Sequence, residues 1–181
     1  MNNREIAAVL FNISTILADQ HGNPYRIRAY RRAARNLLRA RHSVAERAAA
    51  EQPLGIPFLG KSLTSKISAL ALDGECDFYD ELCGNLPAAE QALLKVPGIG
   101  PKLAARIAKD LRAQEADELV LRAASRGLQK VWGIGPKRSA AILAGLRDEQ
   151  PDTAPPTVRD GNVLFVQESF WQGAASRDKV A

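Results

Sequence analysis

Along the first 148 residues, apolar positions at helical spacing alternate with short polar breaks rich in Gly, Pro, Asp and Asn. Ile6, Val9, Leu10, Ile13, Ile16 and Leu17 recur every three or four residues, which predicts a helix over 3–19. His21-Gly22-Asn23-Pro24 breaks it. From about Arg26 to Arg39, Ile27, Tyr30, Ala33, Ala34, Leu37 and Leu38 fall on one helical side; Arg28, Arg31, Arg32, Arg35 and Arg39 fall on the other. Ser43-Val44-Ala45-Glu46 reads as a capping box that opens a short third helix. Leu63, Ile67 and Leu70 mark the inner face of a helix over 62–72, and Asp73-Gly74-Glu75 is a turn. A short helix over 77–83 stops at Gly84-Asn85. Further helices are expected at about 87–95, 101–113, 116–126 and 136–147, with a turn at 128–131. Runs of β-branched residues are scarce before residue 156, so the expected fold is all-α. It divides into two small modules, 1–86 and 87–148, followed by a linker and tail over 149–181. In that tail, Asp160-Gly161 between β-forming residues signals a hairpin.

One of the polar breaks occurs twice. Val96-Pro97-Gly98-Ile99-Gly100-Pro101-Lys102 is nearly repeated as Val131-Trp132-Gly133-Ile134-Gly135-Pro136-Lys137, 35 residues on. Each copy is a tight glycine turn that opens a helix with Pro at its first position, where the missing N–H has no partner to lose. Leu54-Gly55-Ile56-Pro57-Phe58-Leu59-Gly60-Lys61 is a degraded third version, with Phe58 where the first glycine would stand. All three read as the hairpin of a helix-hairpin-helix motif. Free N–H groups at a helix start, with a lysine beside them, suit a phosphate. A repeated phosphate grip suits a nucleic-acid backbone better than a single nucleotide. The expected contacts are Gly60 and Lys61; Gly98, Gly100, Lys102 and Arg106; and Gly133, Gly135, Lys137 and Arg138.

Charge sharpens that reading through its distribution. The net charge is only +5. Residues 22–47, however, hold eight arginines against one acid, Glu46. Ordinary exposed helices interleave acids with bases at i,i+4. Here Arg26, Arg28, Arg31, Arg32, Arg35 and Arg39 form an unbroken basic face that calls for an anion opposite. Residues 94–113 carry five bases against Asp110, 130–147 carry four and no acid, and 61–93 are net acidic. Tyr25 and Tyr30 are candidates for base stacking, Tyr30 equally for the core. Phosphate contacts position a protein and carry little sequence information. No segment offers Asn, Gln and Arg to base edges as a recognition helix would, which argues against sequence-specific transcriptional control.

Cys76 and Cys83, seven apart, fit neither a redox nor a zinc spacing and read as packing thiols in a reducing compartment. No stretch reaches the roughly 18 apolar residues of a membrane span, and no signal peptide is evident. A cytoplasmic, nucleoid-associated protein with no membrane partner is the expectation. His21 and His42 are isolated and are assigned no catalysis.

Pro24-Tyr25-Arg26-Ile27-Arg28-Ala29-Tyr30-Arg31-Arg32-Ala33-Ala34, followed by Pro57-Phe58-Leu59-Gly60-Lys61-Ser62-Leu63-Thr64-Ser65-Lys66-Ile67, resembles the N-terminal lyase-type domain of X-family DNA polymerases, relatives of DNA polymerase beta. Residues 91–147 resemble the helix-hairpin-helix region that follows it, in bacterial members especially. The resemblance implies binding to double-stranded or gapped DNA in repair or replication. It also implies a lysine, here Lys66, that attacks the sugar aldehyde of a 5′-deoxyribose phosphate as a Schiff-base nucleophile, with Tyr30 beside it. That chemistry needs a neutral amine, with Arg26 and Arg31 as the expected cationic neighbours. The sequence departs from the family pattern at Leu54 and Ser62, where phosphate-binding lysines would stand, and at Phe58. The family's hairpins also hold a monovalent cation, K+ or Na+, on backbone carbonyls that match Leu94, Val96 and Ile99. No other cofactor is expected. The two-metal polymerase palm has no counterpart: Asp152, Asp160 and Asp178 form no Asp-x-Asp pair, so polymerase activity is not expected. A DNA lyase and an accessory scaffold remain the alternatives to simple DNA binding. Gln167-Glu168-Ser169-Phe170-Trp171 partly resembles peptides that dock on bacterial sliding clamps.

Overall fold

The computed structural model describes residues 1–125 and 127–148. They form nine α-helices, with no strand among them. The first five are α1 (Asn3–Asp19), α2 (Pro24–Arg39), α3 (Val44–Ala49), α4 (Lys61–Leu72) and α5 (Asp77–Gly84). The other four are α6 (Ala88–Lys95), α7 (Pro101–Leu111), α8 (Ala116–Ala124) and α9 (Pro136–Asp148), with a 3-10 turn at Gly127–Lys130. The tail hairpin at Asp160-Gly161 and the clamp-like peptide Gln167–Trp171 lie outside the described residues. No described helix is long and apolar enough to cross a membrane.

Local chemistry explains the boundaries. α1 opens on a full capping box: the Asn2 side chain accepts from the Glu5 backbone N–H, and the Glu5 carboxylate accepts from the Asn2 N–H at 2.8 Å. α2 starts two residues earlier than its apolar stripe suggests. Asn23 caps it through the Tyr25 N–H, and Pro24, expected to end the preceding helix, occupies the first helical turn. α7 stops at Leu111, short of the expected 113. Arg112 turns left-handed (φ 53°), and the Ala113 N–H closes back on the Ala108 carbonyl at 2.9 Å.

Two apolar clusters form. In the first, Ile6, Leu10, Ile13 and Ile16 of α1 meet Tyr30, Ala33, Ala34 and Leu37 of α2, with Ile67 and Leu70 of α4 and Leu82 of α5. In the second, Leu93, Ile107, Leu119, Leu128 and Ile142 pack around the buried hairpin residues Ile99 and Ile134. Leu38 departs from its expected inward place and is half exposed, because it lies a further 100° around α2 from the buried Leu37. Asn12 of α1 links the clusters: it donates to the Tyr79 hydroxyl at 3.1 Å, and its Oδ1 faces Gly100 of the second hairpin. Cys76 is buried and Cys83 partly so, both unpaired. His42 bonds the Leu54 carbonyl at 2.8 Å, a structural role.

Candidate nucleic-acid interface

The three hairpins share one backbone design. Phe58, Gly98 and Gly133 take left-handed φ angles of 61°, 81° and 85°. The next residue, Leu59, Ile99 or Ile134, turns inward to the apolar clusters. The following glycine then opens a helix, and its carbonyl accepts that helix's first bonds. Gly60 O accepts from Leu63 N and Thr64 N, Gly100 O from Leu103 N and Ala104 N, and Gly135 O from Ser139 N. Phe58 therefore keeps the geometry of the glycine it replaces. A side chain in that conformation costs about 1–2 kcal/mol. No side chain caps α4 or α7, so the N–H groups of Lys61, Ser62 and Lys102 at these helix starts have no capping side chain.

Glycine at the helix-opening position is not demanded by the fold itself at Gly135. Its φ lies outside the left-handed region, and a Cβ built there would have no atom within 4 Å. Gly60 is the same. An alanine would fit both positions in the isolated chain. What glycine leaves at these places is clearance for something approaching from outside.

Basic side chains surround these openings. Lys61, Lys102, Arg106, Lys137 and Arg138 are all exposed. Arg138 donates to the Gly98 carbonyl at 3.2 Å, so it ties the third hairpin's helix to the second hairpin's tip. It acts as a brace between hairpins, a role that spacing alone does not show. A cleft of about 270 Å³ lies where Lys102 and Arg138 meet Asn12, Thr15 and Gly100. On α2, Arg26, Arg28, Arg32, Arg35 and Arg39 are exposed and Arg31 is half buried. None of them forms an ion pair among the described residues. The α2 face continues onto the first hairpin: Asn36 donates to the Pro57 carbonyl at 3.1 Å, and Arg32 lies over the Phe58 ring at 5.6 Å. Of the two tyrosines considered for stacking, Tyr25 is exposed beneath Arg28, whereas Tyr30 is buried in the core.

The expected catalytic group sits apart from the hairpin tips. Lys66 is half buried on α4, donates to Ser62 Oγ at 3.1 Å, and lies 5.3 Å from the centre of the Phe78 ring. Arg26 approaches the same ring at 5.1 Å, and Tyr30 stacks on it at 6.1 Å. Phe78 thus gathers Lys66, Tyr30 and Arg26 around one ring. Burial pushes the Tyr30 phenol up from its ordinary value, and Arg26 pulls it the other way. Beside Lys66 a cleft of about 420 Å³ is also lined by Asp73, Glu75 and Asp77. Those carboxylates repel a phosphate, and the linear order does not show that they share a cleft with Lys66. At the matched cation position, the Val96 carbonyl accepts from Ile99 N at 3.2 Å and keeps a second lone pair.

Comparison with known proteins accords with this geometry. Residues 1–76 match the helix-hairpin-helix domain, and residues 79–113 and 90–148 each match the SAM-like helix-hairpin-helix tandem. Over 119 residues the chain is 27% identical to the DNA polymerase/3'-5' exonuclease PolX of Bacillus subtilis (strain 168). Together these matches support a resemblance of the chain to the helix-hairpin-helix region of an X-family polymerase. That alignment takes in 66% of this chain and 20% of PolX, so the chain spans about a fifth of its relative's length. Sequence reasoning passed over two residues within these domains. In the linear pattern Phe58 shows only as a missing glycine and Trp132 only as part of the repeat, yet both are large, exposed tip residues. The signal available for Trp132 was a bulky aromatic where the sister hairpin has Pro97.

Proposed function

We propose that this helix-hairpin-helix chain binds the phosphate backbone of double-stranded or gapped DNA, without sequence preference, in repair or replication. Gly135 carries the reading: a helix-opening glycine that internal packing does not require, on an uncrowded hairpin flanked by Lys137. The unpaired arginines of α2 support it, since such a face repels itself unless it meets a polyanion. A K+ or Na+ ion on the carbonyls of Leu94, Val96 and Ile99 would add positive charge at the second hairpin.

Gly135→Ala separates this reading from a purely structural hairpin. The substitution is expected to change stability by no more than about 1 kcal/mol in either direction, because the gain through the unfolded chain is offset by alanine being a poorer N-cap than glycine. Affinity for duplex DNA is expected to fall several-fold, measured by fluorescence anisotropy. Unchanged affinity with the folded protein intact would return the glycine to a packing role.

Lyase chemistry at Lys66 is the subordinate reading. A half-buried amine beside a cleft, with Arg26 and Tyr30 on the same aromatic ring, supports it. The Asp73, Glu75 and Asp77 carboxylates in that cleft weigh against an anionic sugar substrate. If the reading holds, borohydride traps the protein on DNA bearing a 5′-deoxyribose phosphate, and Lys66→Ala abolishes the adduct. An adduct of undiminished yield in Lys66→Ala removes Lys66 from the chemistry.

A further inference from the structure

The hairpin tips carry two large aromatic side chains that the backbone-binding reading leaves unexplained. Phe58 is 80% exposed and Trp132 is 81% exposed. Rings of this size normally bury most of their surface. Neither is at a chain end or in a long loop: each stands on the tip of a tight hairpin, anchored by partly buried Leu59 directly after Phe58 and by buried Ile134 two residues after Trp132. Phe58 is anomalous in a second way, because it holds the left-handed conformation where the sister hairpins use glycine. Exposure and backbone strain at one residue, with only the Arg32 guanidinium against one side of the ring, point to an outside partner.

The surroundings say what partner. Arg32 lies 5.6 Å from the Phe58 ring centre, and Arg106 lies 5.5 Å from that of Trp132. Each arginine comes from another helix, so each tip presents a ring with a cation on one side and solvent elsewhere. An apolar protein surface would have to desolvate those guanidinium groups. An unpaired nucleobase would not, because its π face stacks on the ring while the arginine meets the adjoining phosphate. Phe58 stands two residues before the glycine that opens its phosphate-facing helix and Trp132 three, spacings at which base and backbone of one strand are both in reach.

From this we infer that Phe58 and Trp132 are nucleobase-stacking sites that engage unpaired bases of single-stranded DNA. The inference rests on the backbone-binding reading and adds a base-dependent contact to it. A stacked base contributes about 1–3 kcal/mol, a factor of about 5 to 150 in affinity.

The test holds phosphate charge fixed and removes only the bases. The 181-residue chain carrying Trp171→Phe, so that Trp132 is its sole tryptophan, is titrated with an oligothymidylate and with a tetrahydrofuran-spacer strand of equal length. The oligothymidylate is expected to quench Trp132 fluorescence and to bind at least fivefold more tightly than the spacer strand. Trp132→Ala with Phe58→Gly should bring the two strands to equal affinity while leaving duplex binding within about twofold. Phe58→Gly alone should raise the melting temperature, since it relieves the left-handed strain, which separates lost stacking from lost folding. Equal affinity for both strands in the parent protein, or a quench that the spacer strand reproduces, overturns the stacking sites while duplex binding keeps the backbone reading. Failure to bind duplex or single strand overturns both.

Discussion

Replacing Lys102 and Lys137 by Glu together is expected to weaken duplex binding at least about 60-fold at 0.1 M salt. Each phosphate neutralised on duplex DNA contributes a factor of salt concentration to the power of about −0.9, or roughly eightfold at 0.1 M. Two lost contacts multiply to about 60-fold, and the new carboxylates add repulsion. The plot of log affinity against log salt should also lose about 1.8 of its slope. Both lysines are exposed, so the melting temperature should hold. Anisotropy with a labelled duplex checks the affinity. A loss below threefold would take these two hairpins out of the interface.

Stability responds most at the residue that anchors a hairpin. Ile99 is 5% exposed among Leu93, Ile107 and Ile142 in the second apolar cluster, between the left-handed Gly98 and the helix-opening Gly100. Ile99→Ala removes buried methyl groups and leaves a cavity, which costs about 2–5 kcal/mol. For a chain of this size that lowers the melting temperature by about 4–20 °C, at some 2–4 °C per kcal/mol. Thermal unfolding followed by circular dichroism measures it. A shift under 2 °C would mean the tip holds its shape without this anchor. The contrast with Gly135→Ala is useful, because two changes in equivalent hairpins are expected to act on opposite properties. Ile99→Ala strikes the fold, and Gly135→Ala the surface the fold presents.

Much of this architecture was legible in the chain. The periodic stripes located the helices, because Ile6, Leu10, Ile13 and Ile16 can share a buried face only on a helix. The two Gly-Ile-Gly-Pro-Lys repeats located the hairpins, and even the degenerate copy at Phe58 was recognisable by register. What stayed hidden depends on three-dimensional neighbours. Asp73, Glu75 and Asp77 reach the Lys66 cleft only because the chain reverses after α4. Arg138 looks like a DNA-facing base beside Lys137, yet it reaches back 40 residues to the Gly98 carbonyl. Tyr30 sits in an arginine-rich segment, but helical phase places its ring against Phe78 in the core. Leu38 shows the reverse error, an apolar residue at the margin of a stripe that the fold leaves half exposed. Phe58 shows that the backbone of a hairpin can outlast its glycine, which no propensity scale anticipates.

Backbone binding through several phosphates at once is tested most directly by a salt titration of the full chain on two duplexes of unrelated sequence. Three hairpins that each neutralise one phosphate give a log–log slope of about −2.7, and the α2 arginines make it steeper. The two duplexes should give the same slope and affinities within about threefold. A slope shallower than −1, or affinities that differ tenfold or more between the sequences, would contradict it.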